Sequence, residues 1–119
     1  MKHLTAGQRL LLADCDRIAA LPEEKFDMRA PGNLWDAEAG ECGSPACFGG
    51  WVRAWSGVRD YIGQVGERRY GLSCEKLFFP DADVVKLKDG RSAYHATPAE
   101  AAQAGRNLAL HGDPLWHTI

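Results

Sequence analysis

Apolar residues recur at helical spacing in two long stretches of the chain, and a third stretch carries a complete set of helix boundary signals. In the first, Leu11, Leu12, Cys15, Ile18 and Ala19 fall on one face, with Asp14, Asp16 and Arg17 mostly off it. Thr5 with Gln8 three residues on forms a capping box, and Pro22 stops the helix. In the second, Phe48, Trp51, Val52 and Trp55 stand at i, i+3, i+4 and i+7, a strongly apolar stripe. Ser44 suits the N-cap and Pro45 the first helical position, so a helix is expected from there to Gly57 or Gly63. Gly49 and Gly50 inside it each cost about 1 kcal/mol against Ala, which implies close approach of another element. In the third stretch, Thr97-Pro98-Ala99-Glu100 combines an N-cap, a proline at N1 and a glutamate at N3. It predicts a helix through Leu110, with His111 in the last turn and Gly112 past the end.

The segments between these helices carry weaker signals. Glu67 to Tyr70 reads as a short turn closed by Gly71, and Ser73 as the cap of a short helix over Cys74 to Phe79, ended by Pro80. Val84-Val85-Lys86-Leu87 and Ser92-Ala93-Tyr94 flank Asp89-Gly90, the pattern of a β-hairpin over about 84–95. Residues 29–45 are irregular, rich in Gly and Pro, with Leu34 and Trp35 as apolar anchors. Phe26 and Met28 return the chain to the core, and Leu115, Trp116 and Ile119 form a tail that packs back. The expectation is a mainly α protein: a single domain over 1–119, a compact bundle of four to five short helices with one small β-hairpin.

Charge narrows the function classes. Fourteen Lys and Arg against sixteen Asp and Glu leave a net charge of −2. That argues against direct nucleic-acid binding by bulk electrostatics and against a polybasic membrane anchor. No stretch approaches the ~20 apolar residues of a membrane span, and the run Leu10 to Ala13 is too short and too soon charged for a secretory leader. The expected compartment is the cytoplasm, where thiols stay reduced.

Four cysteines and four tryptophans are many for 119 residues. The densest feature is Cys42-Gly43-Ser44-Pro45-Ala46-Cys47, which joins a loop to a helix start. Cys47 in a first turn is where a helix dipole stabilises a thiolate, and Cys42 lies within loop reach of it. The two are therefore candidate reactive thiols; the plainer reading makes Cys47 a small core residue and Cys42 a loop pin. Four intervening residues are not the two of a Cys-x-x-Cys redox pair. A zinc site would need two further ligands from Cys15, Cys74, His3, His95, His111 or His117, and none forms a second close-spaced pair, so neither metal nor cofactor is expected.

Around this motif the chain resembles a group of small, mostly uncharacterised bacterial and phage proteins. Their pattern runs Phe-Asp-Met, then Cys-Gly-Thr-x-x-Cys-x-x-Gly-Trp, a Leu-Gly-Leu segment, a Leu-Phe pair and a Thr-capped Ala-rich helix. Here these are Phe26-Asp27-Met28, Cys42-Gly43-Ser44 with Cys47, Gly50-Trp51, Tyr70-Gly71-Leu72, Leu77-Phe78 and Thr97-Pro98-Ala99-Glu100. Ser44 replaces the usual Thr and keeps the capping chemistry, and the 84–95 segment has no counterpart. The resemblance implies a small helical domain in a bacterial or phage setting and no established reaction.

Enzyme motifs are otherwise sparse. There is no Gly-x-Gly-x-x-Gly, phosphate-loop, Gly-x-Ser-x-Gly or His-Glu-x-x-His signature. Arg106 and His111 match the Arg-x-x-x-x-His spacing of ribonucleases of the HEPN helical type, with Arg holding phosphate and His exchanging the proton. Five residues at ~100° each place them on different helix faces, and a histidine in a last turn is already a favourable dipole partner. Trp and Arg are enriched at binding hot spots, so Trp35, Trp116, Arg59, Tyr61 and Arg69 are candidate partner-contact residues. The favoured expectation is a non-enzymatic protein that binds a protein partner, in a phage or mobile-element setting an inhibitor of a host system of the anti-CRISPR or other anti-defence type. The alternatives are a thiol- or zinc-dependent sensor or enzyme on Cys42 and Cys47, and the helical ribonuclease on Arg106 and His111.

Overall fold

A computed structural model describes residues 3–28, 47–57, 62–81 and 83–119. Among them are five α-helices: α1 (Ala6–Ala19), α2 (Phe48–Ser56), α3 (Ile62–Tyr70), α4 (Glu75–Phe78) and α5 (Pro98–His111). Over these residues the protein is a small helical bundle with almost no strand.

Helices α1 and α5 are the longest, and both begin on the capping boxes read from the sequence. Thr5 Oγ1 accepts from the Gln8 N–H (3.1 Å), and Gln8 Oε1 accepts from the Thr5 N–H (2.6 Å). Thr97 and Glu100 exchange the same two bonds at 3.2 and 2.9 Å. These satisfy N–H groups that the first helical turn leaves without carbonyl partners. The two helices form the most extensive helix pair, and they run antiparallel: the Gln8 amide donates to the Ala109 carbonyl (2.8 Å), while Arg106 pairs with Asp16 (3.0 Å).

Gly105 lets this pair close. A Cβ there would sit 2.5 Å from Cys15 Sγ and 3.0 Å from the Phe48 ring. Absence of a side chain on α5 thus admits both the α1 thiol and the α2 phenylalanine to one point of the core. Phe48 in turn packs on Phe78 of α4, with ring centroids 5.9 Å apart. Leu11, Ile18, Val52, Val65 and Leu77 complete a fully buried centre.

Several boundaries differ from the sequence expectation. Helix α2 begins at Phe48, with Cys47 as its N-cap; Ser44 and Pro45 lie outside the described residues. It ends at Gly57, which takes φ 71°. The segment expected as a short turn before Gly71 is the nine-residue helix α3. Its sequence, Ile-Gly-Gln-Val-Gly-Glu-Arg-Arg-Tyr, hides the signal, because its glycines replace apolar stripe positions. Gly66 is needed for packing instead: a Cβ there would meet Cys74 Sγ at 2.5 Å. The short fourth helix is one turn, and Cys74, not Ser73, occupies its N-cap position.

The expected hairpin at 84–95 is reduced to one antiparallel bridge, Lys86 to Ser92, closed by a turn at Asp89-Gly90 with Gly90 at φ 93°. The turn chemistry is correct, but Val84 and Val85 donate back to the Asp81 carbonyl (3.2 and 2.8 Å), and residues 93–95 form a 3₁₀ turn. Local hydrogen bonds on both sides thus take backbone groups that a ladder would use.

Candidate binding groove

A groove of about 590 Å³ opens beside α4. Glu75, Lys76 and Phe79 form one side, Pro80, Asp81, Val84, Val85 and Lys86 the second, and Asp113, Pro114, Trp116 and His117 the third.

Each wall is set by local chemistry. Asp81 folds the second wall: its Oδ1 accepts from the Asp83 N–H (2.9 Å), and its carbonyl accepts from Val84 and Val85. This turn leaves Val84 74% exposed on the rim. Asp113 does the same for the third wall, accepting from the Leu115 N–H (2.9 Å). Leu115 takes the left-handed conformation (φ 53°), which costs an L-residue about 1–2 kcal/mol. That reversal swings Trp116 inward, where its indole N–H donates to the Lys76 carbonyl (3.0 Å). The buried Asn107 amide donates to the Pro114 carbonyl (3.0 Å) and holds the tail against α5. Lys76 and Asp113 meet across one end at 3.4 Å, both exposed, a weak pair. The Leu115 N–H, with Lys76 and His117 nearby, holds the Asp113 carboxyl below its usual range, so it is charged at neutral pH.

The floor is apolar and the rim carries charges of both signs. No buried side-chain nitrogen or oxygen among the described residues lacks a hydrogen-bond partner.

A second polar feature lies between α1 and α3. Asp14, 1% exposed, accepts two bonds from the Arg69 guanidinium (2.7 and 3.1 Å) and one from the Tyr70 hydroxyl (2.5 Å). Burial and the bond to Asp14 push the Tyr70 hydroxyl upward, so it remains a donor. The Asp14 bonds likewise raise Arg69. Arg17 lies 3.8 Å from Asp14 and stacks 4.0 Å above Trp55, which packs on Trp51 at 5.9 Å. Trp51 donates to the Lys25 carbonyl (2.9 Å). Every described partner of Asp14 is internal, so the cluster ties helices together.

Of the residues expected to contact a partner, Trp35, Arg59 and Tyr61 lie outside the described residues. Arg69 and Trp116 do not stand free as anchors. The Arg69 side chain is 16% exposed and held by Asp14, because a buried carboxylate requires a cation. Trp116 is 4% exposed, because its indole N–H finds a carbonyl inside; it contributes to the groove only as part of its floor. The sequence reading missed Phe79, Val84 and Val85. The available signal was Asp81-Ala82-Asp83 before the two valines, a turn composition that leaves Val84 projecting outward.

The candidate thiols read as follows. Cys42 lies outside the described residues. Cys47 is 1% exposed at the N-cap of α2, where its sulfur accepts from the Gly50 N–H at 3.5 Å. Burial pushes its pKa up, outweighing the helix N–H bonds that pull it down. Cys15 and Cys74 are free, buried thiols at helix crossings, and burial raises each to about 12. All three are neutral near pH 7, the opposite of an activated nucleophile. Among the described residues no three His, Cys, Asp or Glu are grouped to hold a metal ion. Arg106 is paired with Asp16 on α1, while His111 is exposed at the end of α5, and neither lines the groove. Within the described residues no helix is long and apolar enough to cross a membrane.

Compared with protein families, with curated proteins and with solved structures, the chain matches none.

Proposed function

We propose that this is a protein-binding module, and that the groove beside α4 is its docking surface. The observation that carries the reading is the pairing of an apolar floor with Val84 left 74% exposed on the rim. Val84 and Leu110 are the large apolar side chains most exposed among the described residues, and of the two Val84 lines the groove. Binding would remove its surface from water, and the floor would receive an apolar side chain of the partner. The mixed-sign rim suits a partner segment with an apolar anchor between an acidic and a basic residue. The sequence resemblance adds a bacterial or phage setting, in which the partner would be a component of a host system and binding would inhibit or modulate it.

The test is affinity capture with the whole chain against the variants Val84→Asp and Leu110→Ser, followed by calorimetric titration of the captured protein. Val84→Asp should lower affinity at least about tenfold, the effect of burying one charge without a partner at an interface. Leu110→Ser, away from the groove, should leave it unchanged. Equal capture by wild type and Val84→Asp would remove the basis of this reading.

A further inference from the structure

We infer that Asn107, which does not line the groove, is a positioning residue for it: from α5 it clamps the Pro114–Leu115 peptide and so fixes the third wall. The effect on the wall belongs to the chain alone. The effect on affinity rests on the groove being a docking surface.

The wall turns on one peptide unit held at both ends. Its carbonyl, on the buried Pro114, accepts from the Asn107 amide nitrogen (3.0 Å). Its N–H, on Leu115, donates to Asp113 Oδ1 (2.9 Å). The two bonds fix the plane of that peptide. Against this plane Leu115 turns into the left-handed region (φ 53°, ψ 43°), the one non-glycine with positive φ among the described residues. Such a turn is unfavourable for a residue with a Cβ and persists where the surroundings over-determine it. Beyond it, the Leu115 carbonyl accepts from the Thr118 N–H (2.9 Å) and hydroxyl (2.7 Å), and the Trp116 indole reaches the Lys76 carbonyl (3.0 Å). Trp116 and His117 thus stand on the groove because the peptide before them is held from both sides.

The position calls for an amide. The Pro114 carbonyl can only accept, so the amide nitrogen of Asn107 faces it, and the amide oxygen accepts from Gln103 Nε2 one turn earlier on α5 (3.1 Å). A carboxylate could only accept, and an aliphatic side chain could do neither. Asp113, the other half of the clamp, lies on the rim itself and pairs with Lys76. Asn107 is 9% exposed and behind the wall, so it acts on a bound partner only through the tail.

Asn107→Asp keeps the shape and the acceptor for Gln103 and removes the donor. Burial beside a carbonyl holds the introduced carboxyl above its ordinary value of ~3.9. It is ionised at about pH 8 and protonated at about pH 4.5, where its O–H donates to the Pro114 carbonyl again. The free chain is read by the NMR signal of the Trp116 indole N–H, identified with Trp116→Phe and recorded well below the melting temperature. Comparison with wild type at each pH cancels titration common to both chains, His117 included. The variant's signal should move toward that of a free indole at about pH 8 and return at about pH 4.5. Calorimetric titration of the Val84-dependent partner should follow it, weaker on the order of tenfold at the higher pH and restored at the lower. Asn107→Ala, which removes the donor without adding charge, should show the shift and the weaker binding at both pH values, and it carries the test if Asn107→Asp does not fold. An indole signal unmoved by either variant at about pH 8 overturns the inference, as does a folded variant that binds the Val84-dependent partner like wild type. A lower melting temperature with both readouts unchanged would make Asn107 a stabilising residue only. If no capture depends on Val84, the docking reading falls, and the indole signal still decides whether Asn107 sets the wall.

Discussion

Replacing Asp14 by Ala would strip the carboxylate that joins α1 to α3. In the folded protein that carboxylate is 1% exposed and accepts three hydrogen bonds, two from Arg69 and one from Tyr70. Its removal leaves a guanidinium 16% exposed without its counter-charge and a buried hydroxyl without its acceptor. Breaking a buried pair on one side costs about 3–5 kcal/mol, because the remaining charge stays desolvated. Against a total stability of about 5–15 kcal/mol, that is a large fraction. At roughly 4 °C per kcal/mol for a chain this size, the melting temperature should fall by about 12–20 °C. Urea unfolding followed by far-UV circular dichroism measures it, with an unchanged denaturant slope showing that the states compared are the same. Two further variants separate charge from packing. Tyr70→Phe should cost only about 1 kcal/mol, one hydrogen bond. Asp14→Leu combined with Arg69→Met should recover most of the loss, since apolar replacement of a whole buried pair is often neutral. A loss below about 1 kcal/mol for Asp14→Ala would refute the reasoning, because a truly buried and paired carboxylate cannot be removed so cheaply.

The other predictions are shorter. Gly105→Ala should destabilise by about 1–3 kcal/mol through overlap with Cys15 Sγ, and Cys15→Ala should restore part of that in the double variant, read by the same urea curves. Thr97→Ala should cost about 1 kcal/mol through the lost α5 cap, with Thr97→Ser near wild type. Cys15 and Cys74 titrate near 12 when folded and near 9 when unfolded, so the folded state binds the extra protons between those values. Their contribution is therefore complete below about pH 9 and lost as pH rises toward 12, by about 1.4 kcal/mol per unit for each thiol. Alkaline melting curves should show that slope, and Cys15→Ala should reduce it. Cys47, capped and buried, should resist iodoacetamide at pH 8 in the native protein and react in urea; rapid native alkylation would show that its thiol is not shielded.

The ends of α1 and α5 were readable in advance because their determinants are local. A Thr with Gln or Glu three residues on satisfies orphan N–H groups whatever the rest of the chain does, and Gly112 permits the left-handed residue that closes α5. Helix α3 was not readable, because its glycines lower intrinsic propensity and the reason for Gly66, the Cys74 side chain packed against it, lies on another element. The 84–95 hairpin failed for the complementary reason. The Asp89-Gly90 turn is local and formed, but the strands before and after it lost their backbone groups to Asp81 and to a 3₁₀ turn.

The candidate site shows the same division. Trp116 was visible as a residue with both anchor and core chemistry, and sequence spacing offers no way to choose between them. The choice came from a carbonyl forty residues away, Lys76, and from the left-handed Leu115 that turns the indole toward it. Likewise Asp14 in sequence is one of several acids on a solvated-looking helix, and only the arrival of Arg69 and Tyr70 from α3 makes it a buried tie. Composition, capping and helical period therefore decide class and the ends of α1 and α5, because those energies are paid within a few residues. Which side chains are buried, which thiols are inert and where a groove opens depend on contacts between distant segments, and those exist only once the helices have packed.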